Sequence, residues 1–108
     1  MIRLVIGGDV CPMGSMESLF ARGEAGALFH DLLQVIEQAD LSIVNLECPL
    51  ISTPAPIKKA GPVLGASKEC IAGFVAAQWD VLNLANNHSF DHGLSGLRAT
   101  MAAAEQAG

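Results

Sequence analysis

Basic residues are scarce in this chain: six Lys and Arg among 108 residues, against eleven Asp and Glu, for a formal net charge of -5. Apart from Lys58-Lys59 they are scattered. Nucleic-acid binding needs a basic stripe to neutralise phosphates, so no nucleic-acid partner is expected. No apolar run approaches the roughly 20 residues of a membrane span, so the 51% apolar content belongs to a core. Charged residues make up only 16%, the reverse of a disordered composition. The start, Met1 to Ile6, carries one basic residue and runs into Gly7-Gly8-Asp9 without the features of an export signal. Cysteines are three (Cys11, Cys48, Cys70) and lack C-x-x-C spacing. A reduced, cytoplasmic setting follows as the simpler expectation.

What is present is a strand-then-helix pattern, repeated three times. Arg3 to Gly8, Leu41 to Leu46 and Asp80 to Ala85 are short, nearly continuous apolar runs, which suit parallel strands covered on both faces. Ala25, Leu28, Phe29, Leu32, Leu33 and Ile36 recur at helical spacing, with His30 on the polar side. Ser67 is a candidate N-cap for a helix burying Ile71, Phe74 and Val75. Asp91 is a candidate cap for a last helix carrying Leu94, Leu97 and Met101.

Ile51 to Gly65 holds Pro54, Pro56 and Pro62 without either period and reads as a loop. Right-handed crossovers would place the three strands in one parallel sheet. Three strands alone leave open edges and a small core, so residues 1–108 are expected to be the N-terminal part of one longer α/β domain. Self-association or a complementing C-terminal chain is the matching partner expectation.

In open parallel sheets, ligands collect beyond the C-terminal strand ends. Each strand here ends in donors: Asp9, then Asn45 and Glu47, then Asn86, Asn87 and His88, with Asp91 and His92 beyond. Oxygen and imidazole donors suit Mn, Mg, Fe or Zn as divalent cofactors. Read singly, the residues leave alternatives open. Asp9 is also a turn former, Asn86 and Asn87 make turn bonds, and Asp91 is more simply a helix cap. His92 is expected to face solvent. Lys59 is a candidate for an anionic substrate, or a solvated loop lysine. Cys48 and Cys70 read as small buried hydrophobes, and Phe74 and Trp79 as core.

In order, Gly8-Asp9-Val10, Asn45-Leu46-Glu47-Cys48-Pro49-Leu50, Lys59-Ala60-Gly61-Pro62 and Leu84 to Gly93 resemble the CapA family of bacterial capsule or poly-γ-glutamate synthesis proteins. That family is similar to the calcineurin-like metallophosphoesterases. The resemblance spans nearly the whole chain. It implies a βαβαβα parallel sheet forming the N-terminal part of a metallophosphoesterase-like α/β sandwich. It further implies Asp9, Glu47 and Asn87 as metal ligands, His88 as the catalytic residue, and two divalent ions in a complete site. Asn45, Asn86, Asp91, His92 and Cys11 would stand behind them, and Lys59 would meet an anionic polymer or phosphoester substrate. Cys11 occupies a position where the superfamily carries a His, and no later Gly-His-x-His element is present. Those departures keep open a non-catalytic accessory protein of a polymer-synthesis complex, an inert fragment, or a zinc-thiolate or redox module built on Cys11 and Cys48.

Overall fold

In the computed structural model, which describes residues 1–108, these patterns resolve into short elements. The chain runs β1 (Leu4–Val10), a 3-10 turn over Gly14–Met16, α1 (Glu17–Ala21), α2 (Ala25–Phe29), α3 (Leu32–Glu37) and β2 (Leu41–Leu46). It continues through β3 (Leu50–Ile51), β4 (Ala66–Ser67), a 3-10 turn over Lys68–Cys70, α4 (Ile71–Ala76), β5 (Val81–Asn83) and α5 (Gly93–Ala107). β1, β2 and β5 form a parallel sheet in that order, and β3 pairs with β4, also in parallel. The α/β class with a parallel sheet is therefore observed.

The register positions the chemistry. Ile6 pairs with Ile43, so an unbroken ladder would set Gly8 opposite Asn45. The ladder instead slips by one residue, and Asp9 stands there. A bulge at Gly7-Gly8 thus turns Asp9 onto the face carrying Ile6, Ile43 and Asn45, because strand side chains alternate. Gly7 faces the other way: a Cβ there would lie 3.0 Å from the Trp79 ring. Asp9, Asn45 and Asn83 form one cross-strand row at the C-terminal end of the sheet.

The core lies on one side of the sheet, where Phe20, Val44, Leu46, Cys48, Leu50, Ala66, Cys70 and Phe74 are all buried. The Phe20 and Phe74 rings meet at a tilt of 37° with centroids 5.1 Å apart, and Phe29 meets both Phe20 and Trp79 edge-on. Burial of Cys48, Cys70 and Phe74 matches the sequence reading, and Trp79 packs partly buried against the same cluster.

Several expectations are corrected. The sheet is not covered on both faces: Leu4, Ile6, Leu41 and Val81 are exposed on one side. The 25–36 helix is two helices, broken where His30 takes a left-handed φ of 48°. Leu32 is accordingly exposed. Ser67 makes no side-chain cap bond, and its hydroxyl lies 3.7 Å from the Cys70 thiol. Val75 of α4 is exposed. Leu50–Ile51 is paired strand, so the proline-rich loop begins at Ser52. The buried stripe of α5 is Gly96, Thr100 and Ala103, while Leu94 and Met101 are exposed. The reason is β3: Thr100 Oγ1 accepts the Leu50 amide at 3.0 Å, which draws the small-residue face inward. Asp91 is not the cap of α5; the N-cap position is His92, without a side-chain bond.

Candidate functional site

Two polar groupings occupy the C-terminal end of the sheet. The first is a ladder of amides leading to a carboxylate. Asn45 Nδ2 donates to Asp9 Oδ1 at 2.7 Å, and Asn45 Oδ1 accepts from Asn83 at 2.9 Å and Asn86 at 3.1 Å. Asn86 also donates to the Leu46 carbonyl at 2.9 Å, and its side-chain oxygen accepts the His88 amide at 3.0 Å. An amide has one acceptor and one donor end, so this chain fixes the orientation of every member. Asn83 escaped the sequence reading. Its signal was the alternation Leu82-Asn83-Leu84, which turns a polar side chain away from the core at the end of a strand.

Glu47 follows β2, its amide donating to Val10 O at 3.0 Å while its carboxylate makes no protein hydrogen bond. Cys11 and Cys48 lie beside it. Burial, with Glu47 close by, pushes both thiols up from their usual range, more so for Cys48. Both are therefore neutral thiols at pH 7, and the partly buried Cys11 packs against the core cluster. Asn87 is exposed in the turn after β5 and makes no side-chain hydrogen bond.

The second grouping is buried. Asp91 is 1% exposed and accepts from Lys59 Nζ at 2.7 Å on Oδ1, and from the Leu64 amide at 2.8 Å on Oδ2. His88 Nδ1 lies 2.6 Å from the same Oδ2. Burial by itself would raise the Asp91 pKa, but the Leu64 amide, Lys59 and His88 outweigh it and bring it to about 2. His92, expected in solvent, is 6% exposed, and its Nδ1 accepts the Ala55 amide at 2.9 Å. It is held there because Gly65 and Gly96 have no side chains: a Cβ on either would come within 2.7 Å of the His92 ring or Cβ.

A family model described as bacterial capsule synthesis protein PGA_cap matches residues 3–108. The chain belongs to this family. A search of curated proteins finds no match. The PGA_cap match covers every candidate residue, from Asp9 and Glu47 to the Asn86–His92 turn. No helix is long and apolar enough to cross a membrane.

A metal ion is implied only by the resemblance of this family to phosphoesterases, and the donors can be tested for fit. No three His, Cys, Asp or Glu side chains converge closely enough to hold an ion. On neighbouring strand ends, the Glu47 carboxylate and the Asn87 amide nonetheless make no protein hydrogen bond, and Asp9 makes one, from Asn45, which leaves its second oxygen free. In kind they suit a hard cation; in number they leave positions for water or other donors.

Proposed function

We propose that this PGA_cap chain carries a metal-dependent, phosphoesterase-type site serving capsule or poly-γ-glutamate synthesis, on an anionic polymer or phosphoester substrate. The observation that supports this reading most is the meeting of Asp9, Asn45 and the Asn86–His88 turn at the C-terminal ends of three parallel strands. Asp9, Glu47 and Asn87 are the residues to hold divalent metal, with two ions in a complete site. When bound, such ions supply Lewis-acid polarisation of a phosphoryl oxygen. Asn45 holds the Asp9 carboxylate in place through one oxygen and leaves the other free. With its ring protonated on both nitrogens, His88 would donate the Nε2 proton to the leaving oxygen and keep the Nδ1 proton bonded to Asp91. Lys59, paired with Asp91, is left out of the substrate-binding set.

Elemental analysis of the purified chain beside an Asp9→Asn, Glu47→Gln double variant tests this, together with hydrolysis of a nitrophenyl phosphodiester. Metal near one equivalent, lost in the double variant, with turnover in the parent, is the expected result. Metal-free protein without turnover would overturn it. A second reading, a non-catalytic accessory of a polymer-synthesis complex, is favoured by the sparse donor set. Turnover would eliminate that reading.

A further inference from the structure

The proline-rich loop is tied to the Asp91-His92 turn at four points along its length. Ala55 N donates to His92 Nδ1 at 2.9 Å, Ile57 N to the Asp91 carbonyl at 3.0 Å, Lys59 Nζ to Asp91 Oδ1 at 2.7 Å, and Leu64 N to Asp91 Oδ2 at 2.8 Å. One aspartate therefore joins the loop to His88, which also bonds Oδ2. An ionised carboxylate only accepts hydrogen bonds, so the proton in the His88–Asp91 bond sits on His88 Nδ1. His88 Nε2 has no protein partner, yet it is not sealed from solvent. By the same logic, His92 Nδ1 accepts an amide proton and carries none of its own, the reverse of His88 Nδ1.

A carboxylate that is 1% exposed is costly unless its charge is matched. Lys59 is the only lysine or arginine paired with it, and its own side chain is 21% exposed. The pairing thus depends on the loop keeping its path from Ala55 to Leu64. We propose that Asp91 is a positioning residue that holds His88 with its proton on Nδ1 and Nε2 as the one ring atom open to a ligand, and that Lys59 and loop 52–65 are ordered with it as a single unit. The meaning of an open Nε2 rests on the function proposed above; the tautomer and its coupling to the loop do not.

The test reads nitrogen-15 shifts of the His88 ring and amide exchange at Ile57 and Leu64, without metal or substrate. In the parent chain, the neutral His88 ring is expected as the Nδ1–H tautomer. Asp91→Asn should shift the ring toward Nε2–H. Lys59→Met should speed exchange at Ile57 and Leu64 about tenfold or more and mix the His88 tautomers, and Lys59→Arg should restore both. An Nε2–H tautomer in the parent overturns the proposal, and so does a Lys59→Met variant identical to the parent in both readouts. Should a variant not fold, the parent tautomer decides by itself. Because neither readout needs turnover, a failed phosphodiester assay leaves this result standing, and the converse holds.

Discussion

Asp9 and Asp91 serve the same end of the sheet from opposite surroundings. Asp9 is exposed on an edge strand, with one protein donor, Asn45. Asp91 is sealed, and its two oxygens take three donors from a loop and a turn. A carboxylate left in water keeps its lone pairs for a ligand and adds little to stability. One taken out of water must spend them on its own protein. The same residue type therefore supplies binding capacity in one place and order in the other.

The contrast breaks most visibly at Asp91. Replacing it by Ala strands the Lys59 ammonium and the Leu64 amide, and should cost about 3–5 kcal/mol. A urea midpoint equal to that of the parent would refute the assignment. Gly96→Ala attacks the same region through packing. A Cβ there would fall 2.5 Å from His92 Cβ, so despite better helix propensity the variant should lose about 1–3 kcal/mol. Its melting temperature and the exchange rate of the Ala55 amide measure this.

Acid should act on the same carboxylate with a defined sign. The folded Asp91 pKa of about 2 lies below its ordinary value of 3.8. Its contribution, about 2 kcal/mol, is complete above that ordinary value and is lost as pH falls through about 2. Stability measured from pH 5 to pH 2 should therefore fall more steeply in the parent than in Asp91→Asn. Asp9→Asn should be the mildest change to the fold, within about 0.5 kcal/mol by chemical denaturation. It sharpens the contrast if metal uptake disappears from a protein that is as stable as the parent. A large loss of stability at Asp9 would erase the distinction between the two aspartates.

Legibility in the sequence followed the range of the forces involved. Strand positions were readable because a short apolar run such as Leu41 to Leu46 is a local signal, although its burial on alternate residues, one face only, was not readable. The family could be inferred because its motifs are local runs such as Asn45 to Leu50. Asp91 was misread because a cap is a local explanation, whereas its partners Lys59 and Leu64 lie 32 and 27 residues away. His92 was misread for the same reason. The α5 face was misread because Thr100 turns inward to meet Leu50, a partner 50 residues distant. The uncovered sheet face could not be foreseen either: Leu4, Ile6, Leu41 and Val81 are as apolar as their buried neighbours.

By itself, the sequence determined the α/β alternation, the parallel strands, the PGA_cap motifs and the gathering of Asp9, Asn45, Asn86 and His88 at strand ends. Those follow from side-chain period, backbone preference and the polarity of strands joined by crossovers. Only the tertiary structure decided that a bulge at Gly7-Gly8 aims Asp9 at Asn45, and that Lys59 answers Asp91. It also decided that His88 presents Nε2. Each of these depends on which distant group arrives to satisfy a buried charge or an unpaired donor, and that is set when the elements pack.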